Sequence, residues 1–377
     1  MMPVNDHLSG LRRSAIRHFT NLARETPECV MLTIGEPDFD TPQPIQDAAA
    51  AAILAGWTHY APNQGTAELR SAVAEFETAR GFPCGPDQVL ITVGATEALY
   101  TALTGILNPG DEVVIPTPAF NLYESIVLAA GAVPVAMDTA KTGFQIEKTA
   151  LEEAVTPRTR AVILNSPNNP TGVVLNEASL AAVKETVLGR PIWVICDNVY
   201  QQLSDGKCPD LSLDQALRGQ VLVCQSFSKP YAMTGWRAGY LVCPEEAMDR
   251  LLLLHAAQVA AVPTFIQDAC VAALKVDTRP MAAVYARRRE RVCRRLREMG
   301  LEFPEPQGAF YVFPDISRFG LDSETFCTRM IREGKVAAVP GSCFGADGHI
   351  RISCCCSDED LEKGLDRVEA FIQKLEQ

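Results

Sequence analysis

One short segment, residues 225–237, contains the side chains most able to do chemistry. Lys229 follows directly after an apolar run typical of a buried strand, and an unpaired ammonium is costly to bury. Its polar neighbours in the segment are Ser226, Ser228, Thr234 and Arg237. A lysine amine forms a Schiff base with an aldehyde, while hydroxyl and guanidinium groups bind a phosphate. The segment therefore indicates a phosphorylated aldehyde as cofactor, although a loop lysine beside serines is by itself more often a surface residue.

Short β-branched runs alternate with longer helical patterns over most of the chain, which is typical of an α/β fold with a mainly parallel sheet. Strands are predicted at residues 89–93, 112–115, 133–136, 161–165, 192–197, 221–225 and 239–242. Helices are predicted between them, including residues 96–107, 123–130 and 177–188. Ligands of such sheets bind beyond the carboxyl ends of the strands. Asp197 and Lys229 follow such ends, so both are expected at a binding site.

The C-terminal part of the chain has a different pattern. An arginine-rich helix over residues 280–299 is followed by short strands near 309–313 and 349–353, and by a final helix over 357–375. This pattern predicts a smaller α+β domain, against which the N-terminal residues pack as an arm. Two domains suit a chain of this length. The predicted division is an arm over residues 1–45, a large domain over 46–280 and a small domain over 281–377.

The net charge and the distribution of apolar residues argue against nucleic acid and membranes as binding partners. The formal net charge is −12, and an acidic chain without a basic stripe is a poor candidate for binding nucleic acid or an anionic membrane. The most apolar stretch, residues 251–274, is interrupted by polar residues and contains Pro263, so it predicts a buried helix or helix pair and not a membrane span.

The 13 cysteines form no Cys-x-x-Cys pair, and the run Cys354-Cys355-Cys356 lacks the spacing of zinc ligands. No metal site is therefore expected. Free thiols are typical of a reducing cytosol, and the first 22 residues contain no long apolar stretch that would indicate a signal peptide. The predicted location is cytoplasmic.

Several motifs follow one another over nearly the whole chain. They are Gly35-Glu36-Pro37-Asp38-Phe39-Asp40-Thr41-Pro42, Tyr60 followed by Gly65 and Leu69-Arg70, the Asn-Ser-Pro-Asn-Asn-Pro-Thr-Gly run of residues 165–172, Asp197-Asn198-Val199-Tyr200, Ser-x-Ser-Lys ending at Lys229 with Gly-x-Arg ending at Arg237, and Arg351-Ile352-Ser353. One such motif is weak, but all of them in register are specific. On these motifs the chain resembles the class I/II aminotransferases, enzymes of fold type I that use pyridoxal 5′-phosphate (PLP). The resemblance implies amino transfer from an L-amino acid to a 2-oxo acid.

The resemblance also implies roles for individual residues. Lys229 is expected to hold PLP as a Schiff base and then to act as the base that moves the substrate's α-proton. Asp197 is expected to pair with the pyridine nitrogen and keep it protonated. Tyr200 and Asn169 are expected to hydrogen-bond the phenolic oxygen, and Phe120 to stack on the ring. Lys229, Asp197 and Tyr200 are the predicted catalytic residues.

The cofactor's phosphate is expected at the start of a helix, where backbone amides bind anions. Gly94, Ala95 and Thr96 follow the strand over residues 89–93 and open that helix. The resemblance adds Ser226, Ser228 and Arg237 to the phosphate site. It also implies that Tyr60 reaches the phosphate from a second subunit, and hence a homodimer with shared active sites.

Substrate binding is expected at three residues. Arg351 is similar to the family's clamp for the substrate α-carboxylate, a bidentate role that lysine could not fill. Gly35 is expected to add a backbone amide to the same carboxylate, and Asn169 to contact the substrate as well as the cofactor. Some aspartate-specific relatives have a lysine where this chain has Thr96, so a neutral donor, aromatic or sulfur-containing, is the predicted substrate.

Two alternatives share the fold. A carbon–sulfur β-lyase acting on cystathionine or a cysteine conjugate begins with the same loss of the α-proton and the same lysine, and the sequence does not decide between them. A regulatory ligand sensor would resemble this domain fused behind a DNA-binding helix-turn-helix, and the chain begins directly with the predicted arm. The role of Cys354, Cys355 and Cys356 also stays open, between a thiol near the pocket and plain core cysteines.

Overall fold

A computed structural model describes residues 5–11 and 15–376, so residues 1–4 and 12–14 of the predicted arm, and residue 377, lie outside the described part. The helices are α1 (Ala15–Glu25), α2 (Gln43–Leu54), α3 (Ala67–Ala79), α4 (Gly94–Ile106), α5 (Leu122–Ala129), α6 (Lys148–Ala154), α7 (Glu177–Val187), α8 (Glu245–Val259), α9 (Thr264–Ala273), α10 (Arg279–Glu298), α11 (Ser323–Gly334) and α12 (Asp358–Leu375). The strands are β1 (Val30–Met31), β2 (Val89–Thr92), β3 (Glu112–Thr117), β4 (Val133–Asp138), β5 (Thr159–Asn165), β6 (Trp193–Asp197), β7 (Val221–Ser226), β8 (Gly239–Val242), β9 (Tyr311–Val312), β10 (Val336–Ala337), β11 (Val339–Pro340) and β12 (Ile350–Ser353). Short 3-10 turns occupy Asp6–Gly10, Pro86–Gln88, Ala140–Thr142, Gln201–Leu203, Leu211–Leu213, Gln215–Gln220, Ser317–Phe319 and Gly341–Phe344.

The large sheet has seven strands in the order β2-β8-β7-β6-β5-β3-β4. Strand β8 runs antiparallel to β2 and β7, and the other neighbouring pairs are parallel. The prediction of an α/β fold with a mainly parallel seven-stranded sheet is therefore confirmed. The ends of the strands differ from the predicted ends by two residues at most.

Both faces of this sheet are covered, which explains why its strands are almost continuously apolar. In β7, Val221 and Val223 belong to the core on one face, and Leu222 and Cys224 belong to the core on the other. Side chains alternate across a strand, so each face needs its own apolar set. In β7 the polar residues Gln225 and Ser226 come at the carboxyl end of the strand, and the pocket lies at that end.

A separate core lies between β9, β12 and the helices α10, α11 and α12. Phe19 and Ala23 of α1 and Val30 of β1 belong to this core, and β1 pairs with β10. Strands β11, β12 and β9 form a small antiparallel sheet. The division into arm, large domain and small domain stays a prediction, and the separate cores support it.

The apolar stretch over residues 251–274 forms two helices, as predicted for a helix pair. Helix α8 ends at Val259, and Pro263 precedes the first residue of α9. Among the residues that the structure describes, no helix is both long and apolar enough to cross a membrane.

Gly239, the first residue of β8, allows the sheet to approach the start of α4. A Cβ atom at this position would lie 2.6 Å from the carbonyl oxygen of Gln225, 2.7 Å from the carbonyl carbon of Gly94 and 2.8 Å from the amide nitrogen of Ala95. These are backbone atoms, which cannot rotate away. The absence of a side chain at residue 239 is therefore a condition for the contact between β7, β8 and α4.

We expect Gly239→Ala to lower the free energy of unfolding by about 1–3 kcal/mol, because the added methyl group forces the backbone apart. Urea unfolding followed by circular dichroism measures this loss. Gly219→Ala is the matched control, because a Cβ atom there would meet no atom within 4 Å. Equal stability of the two variants would contradict the proposed tight contact.

Candidate active site

The carboxyl ends of three neighbouring parallel strands meet at one edge of the large sheet. Strand β5 ends at Asn165, β6 at Asp197 and β7 at Ser226. A pocket of about 430 Å³ lies at this edge. Its walls include the predicted residues Gly35, Ala95, Thr96, Phe120, Asn169, Asp197, Tyr200, Ser226, Ser228, Lys229, Arg237 and Arg351. The structure thus brings together residues that are spread over more than three hundred positions of the sequence.

Lys229 lies in the turn after β7, and its side chain points to the N-terminal loop. The Nζ atom donates a hydrogen bond to the carbonyl oxygen of Gly35 over 2.6 Å. Burial lowers the pKa of Lys229 to about 8. Coulombic interactions with Cys355 and Glu36 oppose this shift, and the guanidinium groups of Arg351 and Arg237 add to it. A lysine with such a pKa has an appreciable fraction of free amine near neutral pH, as nucleophilic and basic catalysis requires.

Asp197 is a buried carboxylate, 4% exposed, at the end of β6. Its Oδ2 atom accepts a hydrogen bond from the hydroxyl of Tyr123 over 2.5 Å, and its Oδ1 atom accepts one from the amide of Val199 over 3.4 Å. Burial raises the pKa of Asp197 to about 6, although both hydrogen bonds oppose the rise. Asn165 adds support from β5 by donating to the carbonyl oxygen of Asp197 over 2.9 Å.

An arginine and the start of a helix form one end of the pocket. Helix α4 begins at Gly94 without a side-chain cap, so its first amides are free to bind an anion. A Cβ atom at Gly94 would lie 2.9 Å from Nη2 of Arg237, so glycine leaves room for the guanidinium. Ser226 and Ser228 are buried beside them, and the Ser226 hydroxyl accepts a hydrogen bond from the Ser228 amide over 3.0 Å.

Arg351 lies on β12 and reaches the pocket from the small sheet. Its Nη1 atom donates to Oδ1 of Asn169, and its Nη2 atom donates to the carbonyl oxygen of Thr33, both over 2.8 Å. The guanidinium lies over the ring of Tyr311, 4.4 Å from the ring centre. Within the described part of the chain, its buried Nε atom has no hydrogen-bond partner. A buried donor without a partner is costly, so this atom is suited to an anionic ligand.

The N-terminal loop that carries Gly35 is fixed to both halves of the molecule. The Thr41 hydroxyl donates to the carbonyl oxygen of Ala232 over 2.6 Å, which ties the loop to the segment after Lys229. Arg288 of α10 donates to Asp38 over 2.8 Å, which ties the loop to the helices of the second core. The carbonyl of Gly35 is thereby held above Lys229.

Three sets of predicted residues do not line the pocket, and the first is Gly94, although its neighbours Ala95 and Thr96 do. Tyr60 is 94% exposed and lies on a different part of the surface, beside Thr58 and Phe265. Its predicted role requires a second subunit, so it stays a prediction. Cys354 and Cys355 are buried outside the pocket wall, and burial raises the pKa of Cys354 to about 12. Cys354 and Cys355 belong to the second core and Cys356 packs against it, but Cys355 is close enough to Lys229 to act on the pKa of that amine.

Sequence reasoning missed three residues that shape the site. Tyr123 holds Asp197, Asn165 supports the backbone of Asp197 and the amide of Asn169, and Tyr311 contacts both Tyr200 and Arg351. Asn165 could have been found, because it ends a predicted strand within a recognised motif. The two tyrosines give no such signal, since their partners lie 74 and 111 residues away in the sequence.

We expect Asp197→Asn to stabilise cofactor-free protein at pH 7 by about 1–3 kcal/mol. A carboxyl whose pKa is raised on folding contributes stability that is complete below its ordinary pKa of about 4 and is lost as the pH rises through about 6. Asparagine carries no charge at any pH, so the variant escapes this loss.

Thermal unfolding from pH 4 to pH 8 measures the difference between the two proteins, which should vanish near pH 4. Asp249→Asn, which alters an exposed carboxylate, is the control and should show no such gain. A difference between wild type and Asp197→Asn that is the same at every pH would rule out the burial of a titrating carboxyl.

Comparison with known proteins agrees with this geometry. Residues 27–368 match the family model for aminotransferases of class I and II. The chain is 39% identical to a probable N-acetyl-LL-diaminopimelate aminotransferase of Bacillus subtilis, over 98% of this chain and 96% of that protein. It is also 39% identical to aromatic-amino-acid aminotransferase 2 of Thermococcus litoralis, over 99% of both chains.

Solved structures give the same result. An aspartate aminotransferase from Thermus thermophilus, determined with maleate, superposes with a TM-score of 0.93 at 34% identity, over 98% of this chain and all of that one. With the family model, the relatives and the fold in agreement, this chain belongs to the class I and II aminotransferase family and is itself a transaminase.

Proposed function

We propose that the chain transfers the amino group of an L-amino acid to a 2-oxo acid, with PLP carried as a Schiff base on Lys229. The observation that carries this proposal is the position of Lys229 in one pocket with Asp197, Arg237 and Arg351. An amine of lowered pKa, a buried carboxylate and two separate guanidinium groups match an aldehyde, a ring nitrogen, a phosphate and a substrate carboxylate.

The described residues fit PLP at its two charged ends. The phosphate would be held by the first amides of α4 at Gly94, Ala95 and Thr96 and by Ser226, Ser228 and Arg237. The closeness of Arg237 to Gly94 supports this assignment, because it places the guanidinium beside the first residue of α4. At the other end, the carboxylate of Asp197 would pair with the pyridine nitrogen, and Phe120 in the pocket wall would cover the ring.

Side chains of the protein are assigned the transfer of the proton and the stabilisation of the cofactor's negative charge. When bound, PLP would accept the electron pair that the substrate's α-carbon releases on losing its proton. The Nζ atom of Lys229 would take that proton, since its pKa of about 8 allows it to accept and return a proton near neutral pH. Tyr200 and Asn169 would donate to the phenolic oxygen and hold its negative charge.

Substrate binding is assigned to Arg351, Asn169 and Gly35. Arg351 presents an unpartnered buried Nε atom and is oriented by Asn169, so a substrate carboxylate would complete its hydrogen bonds. The amide of Gly35 would contact the same carboxylate. Stacking of Tyr311 against the guanidinium of Arg351 keeps that group in its binding orientation before the substrate arrives.

The donor's side chain is assigned to the neutral class. The pocket wall contains the apolar residues Ile16, Ile34, Leu99 and Leu122, and residue 96 is a threonine. An apolar or sulfur-containing side chain would be favoured by such a wall. Aspartate belongs in any test panel, because Arg24 also lines the pocket and could pair with a second carboxylate.

The protein is assigned to the cytoplasm and to a homodimer with shared active sites. All 13 cysteines lie in the described part of the chain and are free thiols, which supports a reducing compartment. Leu54 and Tyr60, 88% and 94% exposed, and the half-exposed Trp57 are large exposed side chains within seven residues of sequence, and a second copy would cover them. Tyr60 would then reach the neighbouring phosphate site.

Visible absorbance of the PLP-loaded protein tests the function directly. We expect a coloured band that a particular amino acid bleaches without any 2-oxo acid, because the amino group of the donor would stay on the enzyme until an acceptor arrives. Lys229→Ala should abolish turnover but leave the fold and some PLP binding intact, since the phosphate donors remain. Lys207→Ala, which alters an exposed lysine, is the control and should stay active.

Three results would refute parts of this proposal. A protein that develops no band with PLP would exclude the cofactor, and a Lys229→Ala variant that keeps most of its activity would exclude the lysine. Release of pyruvate from cystathionine or a cysteine conjugate, with the band returning, would assign the chain to the carbon–sulfur β-lyases instead.

Shared active sites predict complementation between two inactive variants. In a hybrid dimer of Lys229→Ala and Tyr60→Ala, one site would lack both residues and the other would have both. Random exchange of subunits in equal amounts should therefore restore about a quarter of the wild-type activity. Differently tagged subunits confirm that exchange occurs, and exchange without any recovery of activity would show that Tyr60 does not act across the interface.

A further inference from the structure

Tyr311 contacts three parts of the site at once. It is 1% exposed on β9, and its hydroxyl oxygen lies 2.9 Å from the hydroxyl oxygen of Tyr200. Its ring lies beneath the guanidinium of Arg351, 4.4 Å from the ring centre. A Cβ atom on Gly35 would lie 2.3 Å from the same hydroxyl, so the phenol also abuts the loop whose carbonyl binds Lys229.

The small sheet explains the contact with Arg351. Strands β9 and β12 are antiparallel neighbours, with Tyr311 directly opposite Ser353. Arg351 is two residues from Ser353 and therefore lies on the same face, diagonally opposite Tyr311. A flat ring at this position supports the guanidinium by cation–π attraction and limits its rotation.

The hydrogen bond to Tyr200 has a direction that follows from the proposed function. Either of the two hydroxyls can donate, but each carries only one hydrogen. If Tyr200 donates its hydrogen to the cofactor's phenolic oxygen, Tyr311 must be the donor between the two tyrosines. Burial raises the pKa of Tyr311 to about 12, so its hydroxyl keeps its proton at neutral pH.

We propose that Tyr311 is a positioning residue that donates to Tyr200 and so strengthens Tyr200 as a hydrogen-bond donor to the cofactor, while its ring orients Arg351. Hydrogen bonds in a chain polarise one another, and the effect is larger in a buried site. This inference rests on the proposed function, since the donor role of Tyr200 comes from it. The inference gives Tyr311 two separable tasks. Its hydroxyl acts on the cofactor through Tyr200, and its ring orients Arg351 for the substrate carboxylate.

The test separates the two tasks with two variants of PLP-loaded protein. Tyr311→Phe removes only the hydroxyl, so Tyr200 becomes a weaker donor and the phenolic oxygen becomes more basic. The midpoint of the pH-dependent change in visible absorbance should rise by about half a unit or more. The kcat should fall about three- to ten-fold, while the KM for the amino acid stays within about two-fold. Tyr311→Leu removes the ring as well and should also raise the KM.

Tyr240→Phe is the matched control. It removes a hydroxyl from a tyrosine that is also buried and whose hydroxyl donates to the side chain of Glu77, and neither Tyr240 nor Glu77 lines the pocket. Its midpoint, kcat and KM should equal those of the wild type. In a Tyr200→Phe background, Tyr311→Phe should produce no additional shift of the midpoint, because the two hydroxyls act in series.

A second modification keeps the inference testable if Tyr311→Phe folds poorly. Incorporation of 3-fluorotyrosine at position 311 keeps the shape and makes the phenol more acidic, hence a stronger donor, so the midpoint should move down. An unmoved midpoint in Tyr311→Phe, full additivity with Tyr200→Phe, or an upward shift with fluorotyrosine would each overturn the inference. A wild-type protein that forms no band with PLP would instead refute the proposed function itself.

Discussion

The register between strands β5, β6 and β7 is the constraint on which the whole site depends. Asn165 pairs with Asp197 across β5 and β6, and Asp197 pairs with Cys224 across β6 and β7. Because the strands are parallel, their polar ends emerge side by side, and the side-chain amide of Asn165 can bind the backbone of Asp197. A slip of one residue would turn these side chains to the opposite face and leave charged groups in an apolar core.

Burial shifts the pKa values of the two groups proposed for catalysis, and it does so at a cost in stability. Asp197 and Lys229 both have pKa values moved by burial, the carboxyl upwards and the amine downwards. A fold selected for stability alone would place neither group there, and proteins break such rules mainly at functional sites. Tyr123 and the amide of Val199 donate hydrogen bonds to Asp197 and so reduce the free-energy cost of burying its carboxylate.

The other wall of the pocket comes from a different part of the fold. Arg351 and Tyr311 belong to the small antiparallel sheet, and Gly35 belongs to a loop tied to both cores through Asp38 and Thr41. The large sheet therefore provides the groups assigned to the cofactor, and the small sheet and the loop provide those assigned to the substrate. Tyr311 joins the two sets through its bond to Tyr200.

The sequence alone determined the fold class and about half of the pocket's residues, because β-branched runs mark buried strands and the family motifs mark the strand ends. Tertiary structure alone decided how these residues are held. The bond between Tyr200 and Tyr311, the bond between Tyr123 and Asp197, and the orphaned Nε atom of Arg351 each depend on groups that are far apart in the chain. The spacing of apolar residues along the chain indicates which face of a strand or helix is buried. It does not indicate which two faces will pack together, and a hydrogen bond between two faces forms only after they have packed.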